Sequence, residues 1–407
     1  MKKLTMVDVA SLKRPIQPAP GFQKKLLADH KLDLLGRCGL ECAYCSSDTS
    51  RALMTRMPEL MNAVEAKTGK RESHMENPSI VYVWSDVLQR LSEQLQAAPK
   101  GWGRGKTIIL SMLTDPFSPP LTLPTHRTSK GLVVSSNLDE VLGKERVAAE
   151  QLGQPYDEDE FKGPPATFRA LNLLLEHTEL RVRILTKSGI VATGQYLSLL
   201  KSHKDRVVVG LSIGTLDNSW ARAIEKRATN PTKRFDALTT LQTEGIPTFG
   251  MLCPVFPDVL ESGRLEALVD AIRPDVCEHV WAEPYNDRGN WKVVRDAYPK
   301  GSVGYEWFER MFGGKGKEGW SSYATELYRR LLTKAKREGW THKLRYLLYE
   351  QDITDKNADA FASLEGVLLQ GVMGDDGFST RPRFAEYEKA TGVGRVRKGG
   401  VGNEQGK

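Results

Sequence analysis

The chain alternates between two kinds of apolar spacing. Short continuous runs, Leu32 to Leu35, Thr107 to Leu113, Leu180 to Thr186, Arg206 to Ser212, Ile246 to Cys253 and Val276 to Ala282, have the length of buried strands. Between them, Ser85 to Gln96, Phe168 to His177, Thr193 to Ser202, Trp220 to Ile224 with Thr232 to Thr243, and Leu265 to Ile272 place apolar residues three and four apart. That is the spacing of helices covering a sheet. Parallel neighbours need a long crossover, so strands alternating with helices predict βαβ units. The expected fold class is α/β, with either a partial (β/α)6 barrel of the TIM type or a doubly wound open sheet satisfying the pattern over residues 32–300.

The flanks read differently. Residues 1–31 form a basic lead-in containing Pro15, Pro18 and Pro20, expected to pack on the domain rather than form its core. Residues 118–165, with Pro119, Pro120, Pro124 and the acidic run Asp157 to Glu160, are too long for a plain connector and predict an insertion. After residue 300 the period changes, and residues 301–391 predict an α+β accessory region: a basic amphipathic helix over Trp320 to Lys336 and a strand over Leu344 to Tyr349. Residues 392–407, with six glycines, read as a disordered basic tail.

Composition narrows the class. Of 407 residues, 40% are hydrophobic, ordinary for a globular protein with a sizeable core. No run approaches the roughly 20 apolar residues of a membrane span, and the start lacks a signal-peptide h-region, so the expected location is the cytoplasm with no membrane partner. Net charge is +7, of which +3 belongs to Arg395, Arg397, Lys398 and Lys407 against Glu404. The mildly basic remainder tolerates a nucleic-acid partner without requiring one.

Chemistry concentrates in the cysteines. There are five, an odd number, and Cys38, Cys42 and Cys45 fall within eight residues while Cys253 and Cys277 lie far along the chain. This is no disulfide framework. On a loop after the first strand, the three thiolates can hold three corners of an iron-sulfur cube, leaving a fourth iron open to another ligand; electron-transfer clusters mostly use four cysteines. A zinc site completed by His30 or by Cys253 and Cys277 is the alternative, but zinc prefers paired ligands two apart and a closed set of four.

The segment Cys38-Gly39-Leu40-Glu41-Cys42-Ala43-Tyr44-Cys45 resembles the CxxxCxxC signature of the radical SAM superfamily, with Tyr44 as the aromatic before the last cysteine. A second resemblance, to the spore photoproduct lyase-like and DNA repair photolyase-like branch, runs through Thr114-Asp115-Pro116, Leu185 to Ser188 and Val209 to Ser212. It continues through Ile224 to Ala228 with Pro231 and Arg234, Glu244 to Pro247, and Glu283 to Gly289. The resemblance implies a 4Fe-4S cluster on the three cysteines and S-adenosylmethionine (SAM) chelated at its open iron. It also implies that Lys187 and Ser212 contact the SAM carboxylate, that Thr114 contacts its methionine moiety, that Asp115 orients that loop, and that Asn286 and Arg288 line the mouth. The implied reaction is reductive cleavage of SAM to a 5′-deoxyadenosyl radical for hydrogen abstraction. A nucleic acid or nucleotide base, or a peptide or small metabolite, is the candidate substrate. A flavodoxin or ferredoxin is the implied one-electron reductant. A redox sensor or binding module built on the same cluster is the reading from another class, and it has no need of Thr114, Lys187 and Ser212.

This chain departs from that branch in two places. The lyase has a hydrogen-donating cysteine in the stretch corresponding to Leu110 to Leu113, where the nearest sulfur here is Met112, and it has an aromatic where Ser46 stands. Cys253 becomes the candidate replacement donor, against its reading as a small buried hydrophobe, and Tyr285 is the second candidate catalytic residue. Trp281, Tyr285 and Trp291 are candidate stacking surfaces for a base. Arg329, Arg330, Lys334, Lys336 and Arg337 form a basic helix face compatible with phosphate contacts. The stretch Gly101 to Thr107 is one residue short of a P-loop and opens a strand rather than a helix, which excludes that reading.

Overall fold

The computed structural model describes residues 3–23, 26–111, 113–119, 121–122, 124–128, 131–133, 147, 162–261, 263–287, 289–314, 317–347, 352–357 and 368–369. Strands are β1 (Thr5–Val9), β2 (Ile16–Pro18), β3 (His30–Leu32), β4 (Leu35–Arg37), β5 (Ile80–Trp84), β6 (Thr107–Leu110), β7 (Pro124–Thr128), β8 (Gly131–Val133), β9 (Lys162–Pro165), β10 (Arg181–Thr186), β11 (Val207–Ser212), β12 (Thr248–Val255), β13 (Cys277–Pro284), β14 (Leu344–Tyr346) and β15 (Leu368–Leu369). The main sheet has the order β15-β14-β13-β12-β11-β10-β6-β3-β2, and every pair is parallel except β2 with β3.

The predicted α/β class and parallel strands are present, but the sheet is open. β2 and β15 stand at its two edges. It is nevertheless curled. Arg181 on β10 donates from Nη1 to Glu278 Oε2 on β13 at 3.1 Å, although β11 and β12 lie between. Three strand spacings span about 14 Å in a flat sheet, so the face carrying these residues is concave.

Two apolar layers sit on either side of that sheet. The larger core packs helices such as Ala166–His177, Pro231–Thr243 and Arg264–Ile272 on the convex face. A second cluster of Leu27, Val208, Phe249, Met251, Trp281 and Leu347 fills the concave side, with Phe22, Leu185 and Cys253 against it. Period-2 alternation explains the division: Val207, Val209 and Leu211 join the helix-facing core while Val208 faces inward.

The lead-in is more than a packed extension. β2 pairs with β3, and β1 joins β5 and β4 in a separate three-stranded sheet, burying Val7, Val9 and Ile16 in the main core. The predicted run over Leu32 to Leu35 divides between two sheets, because β3 pairs with β6 and β4 pairs with β5. Within residues 118–165, β7 pairs antiparallel with β8 and with β9, and Thr125 Oγ1 donates to the Pro164 carbonyl at 2.9 Å.

Past residue 300, the helix Glu318–Glu338 closes on Gly339, whose φ of 78° suits glycine, and β14 extends the main sheet beside β13. The predicted tail over 392–407 lies outside the described residues. No helix among the described residues is long and apolar enough to cross a membrane.

Candidate functional site

The three cysteines follow β4 on a loop clamped at both ends. At one end Arg37 grips Asp48 through Nε at 2.7 Å and Nη2 at 2.9 Å, while its Nη1 donates to the carbonyls of Pro78 at 2.8 Å and Ile80 at 2.6 Å. His74 Nε2 meets the Asp48 carbonyl at 2.9 Å. At the other end the loop backbone is stitched to the segment after β11. Ala43 N–H donates to Ile224 O at 2.7 Å, Arg227 N–H to Leu40 O at 3.2 Å, and Arg227 Nε to Glu41 at 2.8 Å.

Beneath the loop lies a buried charged network. Tyr44 donates its hydroxyl to Glu225, Glu225 pairs with Arg234, and Arg234 also donates to Thr229 O at 2.6 Å and Ser212 O at 2.7 Å. The Arg234 and Glu225 side chains are only 2% and 6% exposed. Such a pair holds geometry more than it adds net stability, because desolvation offsets much of the attraction. Here it ties the cluster loop, the end of β11 and the helix Pro231–Thr243 to one another.

Opposite the thiols, strand ends supply polar groups. Asp115, just past β6, accepts from Thr186 Oγ1 at 2.8 Å, Phe117 N–H at 2.9 Å and Lys187 N–H at 2.6 Å. It therefore locks the β6 exit to the β10 exit and sets the direction of Lys187. The Lys187 ammonium lies 5.5 Å from the Tyr44 ring centroid. Thr114 Oγ1 is buried without a hydrogen-bond partner among the described residues. Ser212 Oγ donates to the Cys253 carbonyl at 2.6 Å, and Cys253 S–H donates to Glu283 Oε2 at 3.1 Å. Asn286 Nδ2 donates to the other Glu283 oxygen at 3.0 Å.

One cavity of about 280 Å³ is shared by Cys38, Cys42, Cys45, Thr114, Asp115, Lys187, Ser212, Cys253, Tyr285 and Asn286. Its floor is the apolar layer of Leu185, Met251 and Leu347. Close approach of the backbone shapes the rim: a Cβ on Gly214 would stand 1.8 Å from the Pro254 carbonyl oxygen.

Burial governs the ionisation. It pushes the Cys42 thiol well up and Cys45 up to about 12, so free thiols keep their protons and must lose them to ligate a metal. Burial lowers Lys187, but the acidic groups facing it, Cys42 once it is ionised and then Glu225, outweigh that and hold it above its ordinary value. A protonated Lys187 in a low-dielectric pocket attracts a carboxylate. Asp115 is raised by burial, against its three hydrogen bonds.

The remaining sequence candidates separate. Cys277 faces the other side of the sheet, where Gln242, Thr248 and the Ile272 carbonyl surround it, so it cannot join Cys253 at the three-cysteine loop. His30 packs edge-on against Trp102. Among the described residues no three His, Cys, Asp or Glu side chains form a set for a single metal ion. Trp281 is fully buried and cannot stack on a base from solution. Tyr285 contributes a wall; its hydroxyl is committed to Asn290 at 2.7 Å and its ring packs on Phe256, Phe308 and Phe312. The basic helix face is largely ion-paired, Arg329 with Glu326, Arg330 with Glu266, Lys334 with Asp270 and Glu338, and Arg337 with Glu338. Arg288 and Met112 lie outside the described residues.

Reading the sequence missed the roles of Glu225, Arg234 and Glu283, although all three fall in segments that carried the resemblance. It missed Arg37, Asp48 and His74 altogether. Replacing Asp115 by asparagine is expected to set an amide N–H against a backbone N–H, costing about 1–3 kcal/mol and releasing Lys187. Unfolding in urea measures this cost.

No family model matches the chain. It is 30% identical over 114 residues to the uncharacterized protein ORF301 of Acidianus two-tailed virus, covering 26% of this chain and 37% of that one. It is 25% identical over 145 residues to the uncharacterized protein MJ0683 of Methanocaldococcus jannaschii, covering 35% and 53%. The chain thus matches about a third to a half of the length of these relatives. Similar solved structures include spore photoproduct lyase complexed with dinucleoside spore photoproduct, with TM-score 0.42, 11% identity, and 81% of this chain and 79% of that one covered. Another is hexahistidine-tagged anSMEcpe with bound AdoMet, with TM-score 0.35, 10% identity, and 83% and 60% covered.

Proposed function

We propose that this chain is a radical SAM enzyme of the spore photoproduct lyase-like type, its curled open sheet serving as the partial barrel of that class. The observation that carries the reading is the convergence of Cys38, Cys42, Cys45, Thr114, Lys187 and Ser212 on one cavity, from four different strand ends. The donor set fits the implied groups: three thiols with no fourth protein ligand beside them among the described residues suit a 4Fe-4S cluster with an open iron. A cation and an unpartnered buried hydroxyl suit an amino-acid moiety. When bound, the cluster supplies the electron that cleaves SAM to methionine and a 5′-deoxyadenosyl radical.

The chain's own residues then have distinct tasks. Lys187 neutralises the SAM carboxylate, Thr114 supplies a hydrogen bond, and Ser212 turns from Cys253 to add another. Cys253, beside Ser212, gives the hydrogen of its thiol to a carbon-centred product radical. The C–H bond forms as S–H breaks, and the sulfur radical left behind is reduced either by hydrogen from 5′-deoxyadenosine or by an electron and a proton from the reductant system. Glu283 keeps that thiol oriented. The substrate we assign is a nucleic acid or nucleotide base, on the strength of the family resemblance and the mildly basic composition; the reductant is a flavodoxin or ferredoxin.

The test is anaerobic reconstitution with iron and sulfide, then assay of 5′-deoxyadenosine with SAM and dithionite. Wild type is expected to form it, and Lys187→Ala to raise the KM for SAM at least about tenfold, the loss of a charge-assisted contact. Cys253→Ala is expected to retain cleavage. Bound cluster without any cleavage would favour a redox sensor, zinc in place of iron would overturn the reading, and an unchanged KM in Lys187→Ala would remove that residue from the SAM site.

A further inference from the structure

The concave side of the sheet has a second polar region, at the end opposite the three cysteines. Arg183 on β10 points inward, its guanidinium carbon 4.8 Å from the Trp281 ring centroid and 5.2 Å from that of Phe249. The residue is 5% exposed, and both Nε and Nη1 are buried without a hydrogen-bond partner among the described residues. Next to it, Trp281 Nε1 and His279 Nδ1 are likewise unpartnered, and the two rings are 5.2 Å apart. Burial pushes His279 down to about 4, helped by the charges of Arg345 and Arg183. The acidic side chain acting on this group, Glu278, is already held by Arg181.

A buried guanidinium whose acidic neighbour is already bonded to another arginine is costly, and arginine does not escape by losing its proton. Its contacts with the two aromatic faces recover only about 0.5–2 kcal/mol each. Three kinds of donor, the guanidinium fork, an indole N–H and an imidazole nitrogen, meet where the local charge is positive. Oxyanions are recognised by that chemistry. Arg181, Glu278, His279 and Arg345 around the group are all half-buried, so this is the side from which an anion would enter. Four residues along β10 separate Arg183 from Lys187, about 13 Å, and Leu185, Val208, Phe249 and Met251 lie between the two regions. This region is therefore separate from the cysteine cavity.

We propose that Arg183, His279 and Trp281 form a binding site for an oxyanion, a phosphate group or a carboxylate, at the N-terminal ends of the strands. Binding draws a proton onto His279, because the anion reverses the local potential. The site is independent of the radical SAM reading and does not need the cluster.

The test is calorimetric titration of the full chain with inorganic phosphate and, separately, acetate, at constant ionic strength set by chloride, in buffers of different ionisation enthalpy. Saturable binding of either anion with proton uptake near neutral pH is expected; the anion that binds names the class. Arg183→Met is expected to weaken it at least about tenfold and to fold at least as stably as wild type in chloride, since it replaces an unpaired buried charge with an apolar side chain of similar length. His279→Gln is expected to abolish the proton uptake. Absence of saturable binding for both anions, or equal affinity in Arg183→Met, would overturn the proposal.

Discussion

Cys42→Ala protein, reconstituted alongside wild type, is expected to yield no detectable 5′-deoxyadenosine and to take up markedly less iron, while its unfolding midpoint before reconstitution stays close to that of wild type. The two halves of that expectation have separate causes. The loop around Cys42 is held by backbone groups: Cys42 bridges Glu225, and Ala43 N–H reaches the Ile224 carbonyl. Neither bond involves the sulfur. The proposed cluster, by contrast, has no spare ligand among the described residues. Cys253 is bonded to Glu283, and Cys277 is buried on the other face of the sheet. Cys277→Ala is the matched control and is expected to retain cleavage. Product from Cys42→Ala at the wild-type rate would disprove the cluster assignment.

Arg234→Leu is expected to destabilise the protein by about 3–5 kcal/mol, the cost of leaving a buried partner charge uncompensated. Both side chains of the Arg234–Glu225 pair are almost wholly enclosed, so solvent screening does not dilute the effect. Burial lowers the Arg234 guanidinium and the Glu225 carboxylate more than offsets this, keeping it charged. The substitution also frees the Ser212 and Thr229 carbonyls, and with them the seat of the cysteine loop. Urea unfolding of the unreconstituted variant measures the first effect and bound iron the second. Adding Glu225→Gln is expected to restore part of the lost stability, because it removes the stranded charge; the double mutant is therefore more stable than Arg234→Leu alone. A single-mutant loss below about 1 kcal/mol would contradict the positioning role.

Much of this molecule was legible in the order of its residues. β10 to β13 and the helices between them follow from apolar runs alternating with helical spacing, because a buried parallel sheet needs nothing but apolar strands. Ile80–Trp84 was legible in principle: five apolar residues between Ser79 and Ser85 are a buried strand, obscured by the helical pattern that follows at once. The partners of that strand were not legible. β1 pairs with β5 across about 75 residues, and no local spacing encodes that.

The site divided in the same way. Three close cysteines single out the loop as a candidate metal centre because few other roles need thiols at that spacing. Glu225 and Arg234 announce nothing alone; an acid and a base nine residues apart are usually solvated, and only the fold buries them as a pair. Sheet closure was equally out of reach, since inward-facing residues look alike in a closed barrel and in a curled open sheet. Trp281 illustrates the remaining ambiguity: an aromatic in a strand suits a base-stacking surface or a core, and the concave layer takes it as core.

The latch between the cysteine loop and the segment after β11 also orders events during synthesis. Tyr44 and Glu225 are 181 residues apart, and Arg234 follows later still. At about 5–20 residues per second, the three thiols leave the ribosome roughly 10–40 s before the groups that seat them. During that interval the cysteines are a tether without a socket. If the loop holds the proposed cluster, delivery of iron and sulfide belongs after the middle of the polypeptide has emerged and folded back on its own beginning.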